Sequence, residues 1–473
     1  MPDSLAARYD ATPYRHGAIQ HSHPARMGAI GRLHGLLTAP PDRCRVLELG
    51  CGEGSNLLPL AERFPDSEFI GIDFSEVSIA TAEAARAACG LQNARFECAD
   101  LRTFVPERGG YAYVIAHGVY SWVPDDVKEH LLATCLRALA PGGVAYVSYN
   151  TLPGWGLPGG LRAFLLEEIE QAPDAAAKLE RAGRILAALE EAARGQPGAY
   201  AAHLRSAVED LLRKPPHLLF HDDLAPVNDP CTFTHFIAQT AKHGLRYLGE
   251  AHYATMHFAH APAPTRAALA RLELDFFREQ QYLDVLFQRW LRNSLLCREE
   301  PRRQPVLEAI RECAIGARLR VDAKSADLRP GTTLATKGPN DMDLVFADPI
   351  EKAVLIVLVM AGSARVPFVT AVEKASAMLL GAGIPAIADD TAVCALIHRL
   401  FSIDALDLVL AGDGRWLADG TAPSALMRYE AERGFTITNR WHEPIGVTIE
   451  GQQWLVESTG GENPAARFAG FLV

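Results

Sequence analysis

The sequence predicts an α/β protein in which helices cover both faces of a parallel sheet and a separate C-terminal α+β unit follows. Strand-like and helix-like segments alternate between residues 46 and 149, as in doubly wound sheets. Residues 161–214 are rich in Ala, Leu, Glu and Arg, which predicts an inserted helical region. A chain of 473 residues also exceeds one ordinary domain, so several are expected.

The first part of the chain supplies most of the predicted sheet. A helix over residues 23–37 precedes it. Strands are predicted at residues 46–49, 68–72, 95–98, 111–116 and 144–149, with helices over 56–64, 76–89 and 125–139 between them and a Pro-Gly-Gly turn at 141–143. Because such connections put helices on the sheet faces, the strands are expected to run parallel.

Beyond the insertion, two more strands, at 245–259 and 293–298, are expected to complete the sheet, with helices over 233–243 and 266–290. The C-terminal unit is predicted to hold helices over 349–360, 367–380 and 391–408 and strands at 317–321, 454–457 and 468–473. The predicted division is 1–160 (first part of the core), 161–216 (insertion and candidate dimerisation element), 217–305 (completion of the core and regulatory region) and 306–473 (C-terminal unit).

Composition excludes several classes of function. A net charge of -11 argues against nucleic acid or anionic lipid as a partner. The N-terminus lacks the apolar core of a signal peptide, and the apolar run 353–362 is too short to span a bilayer, so a soluble cytoplasmic protein is expected. No metal site is expected, because the nine cysteines form no C-x-x-C pair and the histidines lack an obvious third ligand. Those histidines are His217, His221, His252, His257 and His260.

A glycine-rich turn follows the first predicted strand. Gly50, Gly52 and Gly54 alternate there, directly after Glu48. Side chains are absent from one side of such a turn, so a ligand can lie against the backbone. The turn lacks the lysine of a phosphate-binding P-loop and is one residue shorter than the dinucleotide fingerprint.

Three further features fall at the carboxyl ends of predicted strands, where ligands bind in such sheets. Asp73 ends the second strand, in the position of a carboxylate that accepts ribose hydroxyls. Asp100 follows the third strand and is placed to accept an adenine amine. The loop that starts at His117 follows the fourth strand. Together these features favour a nucleoside cofactor.

The chain resembles class I S-adenosylmethionine-dependent methyltransferases, which have a Rossmann-like sheet. The resemblance rests on Glu48-Leu49-Gly50-Cys51-Gly52-Glu53-Gly54, Gly71-Ile72-Asp73-Phe74-Ser75, Cys98-Ala99-Asp100 and Leu139-Ala140-Pro141-Gly142-Gly143. The segments 117–124, 148–155, 280–284 and 295–298 are similar to methyltransferases that carry a methyltransferase regulatory domain, among them rickettsial protein-lysine methyltransferases. The resemblance covers residues 9–300.

The resemblance implies S-adenosyl-L-methionine as the cofactor and assigns roles to residues. Those implied to bind the cofactor are Glu48, Gly50, Cys51, Gly52, Gly54, Asn56, Asp73, Phe74, Ser75, Asp100, Leu101, His117, Gly118 and Val119. Glu48 is implied to hold its amino group, directly or through water, Asp73 its ribose and Asp100 its adenine.

The acceptor side is predicted from aromatic residues. An amine must be neutral to attack a methyl group, and an aromatic pocket disfavours the ammonium form. Tyr120 and Tyr149 are the preferred pair, with Trp122, Trp155 and Tyr14 as further candidates. Rings in loops also serve as packing anchors, and His117 is either a structural residue or a base.

The leading functional hypothesis is methyl transfer to lysine side-chain amines of a protein. Extra domains suit a large acceptor, and a homodimer is a further expectation. Two alternatives stay open at this point: a small-molecule N- or O-methyltransferase, and a non-catalytic scaffold that binds the cofactor.

Overall fold

The computed structural model describes residues 17–258, 261–321, 326–417, 423–434 and 436–448. Tyr14 and the strands predicted at 454–457 and 468–473 lie outside these ranges. The helices are α1 Pro24–Leu33, α2 Leu57–Arg63, α3 Glu76–Ala88, α4 Asp125–Ala138, α5 Gly156–Ile169, α6 Ala175–Arg194, α7 Ala199–Arg213, α8 Phe233–Lys242, α9 Ala263–Ala270, α10 Phe276–Leu286, α11 Pro349–Met360, α12 Phe368–Gly381, α13 Thr391–Phe401 and α14 Ala425–Ala431. The strands are β1 Arg45–Leu49, β2 Glu68–Asp73, β3 Ala94–Cys98, β4 Tyr111–Ala116, β5 Leu139–Asn150, β6 Arg246–Glu250, β7 Leu291–Cys297, β8 Cys313–Ala317, β9 Leu334–Lys337, β10 Asp343–Phe346, β11 Val366–Pro367, β12 Leu406–Leu410, β13 Thr436–Thr438 and β14 Pro444–Gly446.

Seven strands form the central sheet in the order β3-β2-β1-β4-β5-β7-β6. The first five pair in parallel. Strand β7 runs antiparallel to both β5 and β6, so the expected all-parallel sheet is instead mixed. The expectation that two late strands complete the sheet is confirmed. The order reverses between β1 and β4, which creates the crevice in which ligands bind in such folds.

Several predicted elements have different limits. Strand β5 includes the residues predicted as a Pro-Gly-Gly turn. The strand is irregular at this point: Gly142 has a φ of +72°, and the register with β4 shifts near Tyr111. The predicted helix over 266–290 is two helices, and Glu273 between them has a φ of +47°. The predicted helix over 391–408 ends at Phe401 and is followed by strand β12, because Asp404 turns the chain with a φ of +60°.

Helices α5, α6 and α7 occupy the predicted insertion and pack around a small apolar cluster of their own, which includes Leu165, Leu186 and Val208. None of the helices within the described ranges has the length and hydrophobicity needed to cross a membrane.

The C-terminal unit contacts the N-terminal helix through a buried ion-pair network. Asp407 on β12 pairs with Arg26 of α1 and with Arg365. Burial alone would raise the pKa of the Asp407 carboxyl, but the two guanidinium groups outweigh it and lower that pKa. Buried pairs of this kind fix one arrangement of the two parts, since separating them would leave a charge unpaired.

Candidate active site

A cavity of about 540 Å³ opens at the carboxyl ends of β1, β2 and β4. Ligand pockets in proteins typically have about 300–1,000 Å³. Ten of the residues singled out from the sequence line it: Gly50, Gly52, Asp73, Phe74, Asp100, Leu101, His117, Gly118, Val119 and Trp122. The tertiary structure therefore brings the glycine turn, the two strand-end acids and the loop after β4 to one place.

The glycine turn lies close against the loop after β4. Gly50 has a φ of +77°, and a Cβ added there would lie 2.5 Å from Cγ2 of Val119. The N–H groups of Gly50 and Cys51 both donate to the carbonyl of Ile72, at 2.7 and 3.0 Å. The turn is thus held against the end of β2 and leaves an open backbone surface beside the cavity.

Asp73 joins this turn to the next helix. Its Oδ2 accepts a hydrogen bond from the N–H of Gly52 at 2.8 Å, and its Oδ1 accepts one from the N–H of Ser75 at 2.9 Å. Ser75 caps α3 by accepting from the N–H of Ser78. The carboxylate consequently has a fixed direction beside the cavity.

Five residues predicted to bind the cofactor do not line the cavity: Glu48, Cys51, Gly54, Asn56 and Ser75. Cys51 is buried under the turn, and Gly54 faces Phe96, whose ring a Cβ would meet at 2.7 Å. Asn56 is fully buried and donates to Oε1 of Glu48 at 2.8 Å. These residues support the turn from behind, so any role of theirs toward a ligand stays a prediction.

Glu48 carries a buried oxygen of particular interest. Its Oε2 has no hydrogen-bond partner among the described residues. Burial raises the pKa of the Glu48 carboxyl to about 8, with the charge of Asp73 adding to the effect and the bond from Asn56 opposing it. A buried acceptor of this kind is costly unless a donor meets it.

Asp100 lies at the rim and is engaged with a neighbour. Its carboxylate accepts from the backbone N–H of Arg102 at 2.9 Å and from the Arg102 guanidinium at 3.0 Å. Arg102 also bonds Asp126 at 3.0 Å. An adenine amine would have to share this carboxylate with Arg102, a residue that the sequence reasoning did not single out.

The loop after β4 is fixed by strand β5. Nδ1 of His117 lies 2.9 Å from the hydroxyl of Tyr146, and the N–H of Gly118 donates to Oγ of Ser148 at 2.8 Å. His117 therefore has a defined ring orientation at the cavity wall.

The preferred tyrosine pair does not lie on this cavity. Tyr149 is 1% exposed and stacks on Phe236 with ring centroids 3.8 Å apart. Tyr120 packs edge-on against the same Phe236 and lines a separate cavity beside Lys128. Burial raises the pKa of both phenols, so neither is suited to accept a proton at neutral pH.

Of the predicted aromatic residues, Trp122 lines the cavity. It packs edge-on against Trp155, with ring centroids 6.1 Å apart. Trp155 is buried and donates from Nε1 to the carbonyl of Trp290 at 3.1 Å. Trp155 thus supports Trp122 and links it to Trp290, the residue before strand β7.

Two cavity residues come from a distant part of the chain. His221 and Asp222 lie in a π-helical turn, Leu219–Asp223, that follows the insertion. Such turns occur often at functional sites. The sequence reasoning noticed His221 only as a rejected metal ligand and missed Asp222, because no local pattern links residue 222 to a loop about a hundred residues earlier.

This turn is anchored on both sides. Asp223 pairs with Lys214 at 2.6 Å. Farther along, the N–H of Asp229 donates to the carbonyl of Ser121 at 2.8 Å, and Asn150 donates to the side chain of Asn228 at 2.9 Å. The π-helical turn and the loop after β4 are therefore held together by the segment between them.

The residues present fit S-adenosylmethionine. Gly50 and Gly52 line the cavity without side chains, Glu48 behind the turn has an oxygen without a hydrogen-bond partner among the described residues, and Asp73 lines the cavity. These would suit its methionine backbone, its amino group and its ribose. Within the described ranges, no group of three or more His, Cys, Asp or Glu side chains is arranged to hold a metal ion.

Comparison with known families agrees with this geometry. Residues 46–143 match a family described as a methyltransferase domain, and residues 215–298 match one described as a predicted methyltransferase regulatory domain. The chain is therefore similar to both kinds of domain over these residues. The resemblance to class I methyltransferases is therefore confirmed: the first matched domain is that of an S-adenosylmethionine-dependent methyltransferase, and S-adenosylmethionine is the cofactor that it implies.

Relatives of this chain include an uncharacterized protein of Rickettsia prowazekii, 30% identical over 292 residues, which cover 62% of this chain and 53% of the relative. A second R. prowazekii protein, also uncharacterized, is 29% identical over 51% of this chain and 96% of its own length. A trans-aconitate 2-methyltransferase of Variovorax paradoxus is 39% identical over 22% of this chain and 38% of its own length. The chain thus spans about half of the first relative.

Among solved structures, that of PKMT2 from Rickettsia typhi in complex with AdoHcy superposes with a TM-score of 0.79. The alignment covers 96% of this chain and 90% of the other, at 24% identity. This likeness confirms the predicted fold, a Rossmann-like class I methyltransferase sheet with an additional C-terminal unit.

Proposed function

We propose that the protein transfers a methyl group from S-adenosylmethionine to lysine side-chain amines of a protein substrate. The observation that carries this proposal is that one cavity is lined by two sets of residues: the glycine turn with Asp73, and Trp122 with Asp222. The first set suits a nucleoside with a cationic tail. The second suits a cationic acceptor.

The residues on the acceptor side have different roles. A bound sulfonium supplies an activated methyl group, so the protein mainly has to align the acceptor and exclude water. The face of Trp122 attracts a lysine ammonium and its methylated products by about 0.5–2 kcal/mol. Asp222 is placed to hold the ammonium and to take up its proton before transfer, since only the neutral amine has a free lone pair.

The structural similarity to PKMT2 of Rickettsia typhi supports a protein acceptor. The trans-aconitate methyltransferases support a small carboxylate acceptor instead, but their similarity covers only about a fifth of this chain. A cationic side chain at the cavity would favour such an acceptor, but Arg102 there is bonded to Asp100 and Asp126.

The test is to incubate the protein with methyl-labelled cofactor and cell lysate and to follow the label. Label in protein bands that acid hydrolysis converts to methyl-lysine supports the proposal. Label confined to the small-molecule fraction supports the small-molecule alternative. Binding of the cofactor with no label in any fraction supports the scaffold alternative.

Two expectations about the whole protein remain part of this proposal. One is that the protein acts in the cytoplasm, where its cysteines would remain reduced thiols. The exposed faces of α6 and α7 make them the candidate dimerisation element, and a strict monomer in light scattering would contradict this.

A further inference from the structure

The side chain of Asn56 does not cap the helix at whose start it lies. Asn56 directly precedes α2, where asparagine commonly accepts a bond from the first helical turn. Here its own backbone is helical and its side chain makes no cap bond. The carboxamide is fully buried instead, and it contacts three separate parts of the chain.

The orientation of this carboxamide follows from its partners. Oδ1 accepts from the backbone N–H of Ile19 at 2.9 Å and lies 2.6 Å from Nε2 of His442. Nδ2 donates to Oε1 of Glu48 at 2.8 Å. A flipped amide would turn its NH₂ group toward the N–H of Ile19, donor against donor, so the orientation is defined. Because Oδ1 has no proton, Nε2 of His442 is the donor.

His442 reaches this point from the C-terminal unit. It lies in the turn between β13 and β14, is 2% exposed and has a φ of +64°, a conformation that is strained for a side chain other than glycine. Its ring packs edge-on against His23, with centroids 5.6 Å apart. Burial lowers the pKa of His442 to about 3, so the ring is neutral at physiological pH and carries its proton on Nε2.

We infer that His442 is a positioning residue of the cofactor site, which through Asn56 holds Glu48 in place to receive the amino group of S-adenosylmethionine. The inference rests on the proposed function in one respect, namely that this cofactor binds beside Gly50. It assigns the C-terminal unit a role that the sequence did not indicate. Since linkage is reciprocal, packing of the β13–β14 hairpin against Asn56 raises cofactor affinity, and cofactor binding in turn stabilises that packing.

The ionisation of Glu48 gives the inference a specific readout. The groups that face Glu48 are Asn56, Asp73, Cys51 and Tyr146. Burial raises the pKa values of Cys51 and Tyr146 well above their usual range, and burial lowers that of His23 next to His442. Between pH 6 and 9, roughly, Glu48 is therefore the group of this cluster that we expect to titrate.

The sign of the pH dependence follows. Free Glu48 has a pKa of about 8, and a bound ammonium favours the carboxylate. Binding therefore releases a proton below that pKa, so affinity for the cofactor rises with pH and levels off near it, and it falls again as the cofactor's own α-amino group, with an ordinary pKa of about 7.7–8.0, loses its proton. The bond from Asn56 lowers the Glu48 pKa, so losing the support of His442 moves this levelling-off to higher pH.

The experiment is calorimetric titration of the full chain with S-adenosylmethionine across this pH range, for wild type, His442→Leu and His442→Gln. Both replacement residues must adopt the same left-handed backbone conformation at position 442, but only glutamine keeps an N–H donor. We expect His442→Leu to bind about tenfold more weakly, with the levelling-off at higher pH, and His442→Gln to stay within about threefold of wild type. Equal behaviour of the two variants would overturn the inference.

A double-mutant cycle with Glu48→Gln distinguishes an effect that acts through Glu48 from a general loss of stability. If His442 acts through Glu48, His442→Leu has little further effect on affinity in the Glu48→Gln background. Undiminished weakening there would show a merely structural role and overturn the inference. Failure of the wild type to bind the cofactor would overturn the proposed function as well. If the wild type binds and His442→Leu has the same affinity for the cofactor, this inference alone is overturned.

Discussion

The carboxylate of Asp73, at the end of β2, accepts a hydrogen bond at 2.8 Å from the backbone N–H of Gly52, in the turn after β1. Its second oxygen accepts the N–H of Ser75. One side chain thereby holds the glycine turn and the start of α3 in register, and it does so beside the cavity. The residue implied to bind the ribose is also a structural support of the turn that receives the cofactor.

Replacing Asp73 by Asn should weaken cofactor binding by about 10–100-fold, since charge-assisted hydrogen bonds contribute about 1.5–3 kcal/mol. The amide would turn an NH₂ group toward the N–H of Gly52 or of Ser75. Calorimetry measures the change, and Asp66→Asn, at an exposed acid in the turn before β2, is the control. Unchanged affinity would refute the placement of the cofactor.

Gly50→Ala should lower both the free energy of unfolding and cofactor affinity. The residue has a φ of +77°, and the new methyl group would lie 2.5 Å from Val119. We expect a cost of about 1–3 kcal/mol from strain at this conformation. Gly159→Ala is the matched control, because it lies within helix α5 with nothing near the added methyl group; it should be neutral or stabilising in a urea titration.

Trp122→Ala should reduce methyl transfer to lysine peptides while cofactor affinity stays the same. The ring lines the cavity, and losing a cation–π contact of about 0.5–2 kcal/mol lowers kcat/KM roughly 2–30-fold. Tyr149→Phe should change kcat/KM little, because Tyr149 stacks on Phe236 away from the cavity. The reverse ranking would restore the tyrosine pair that the sequence favoured.

Asp222→Asn should lower kcat/KM for lysine peptides by about 100-fold or more, since a positioned acid or base typically contributes about 100- to 10,000-fold. Cofactor affinity should stay within about twofold of wild type. The adjacent Asp223→Asn is the control: Asp223 pairs with Lys214 and should affect the melting temperature rather than the pH–rate profile. Equal effects of both variants on that profile would contradict the role of Asp222.

Local sequence predicted the strands that carry the site. Residues 46–49, 68–72 and 111–116 alternate with helical segments, and β1, β2 and β4 form within a residue or two of those limits. The glycine turn and Asp73 could be predicted to meet because neighbouring parallel strands end at the same edge of a sheet. The limits of later elements were harder to predict, since Glu273 and Asp404 turn the chain with positive φ values that ordinary residue preferences do not indicate.

The sequence by itself determined the methyltransferase sheet and one wall of its cavity, because those features depend on residues that are close along the chain. Only the tertiary structure decided which aromatic ring lines the cavity, that Asp222 of the second matched domain lines the same cavity as the glycine turn, and that His442 contacts Asn56 from 386 residues away. These contacts depend on how separate units pack against one another, and no periodicity or local spacing encodes that packing.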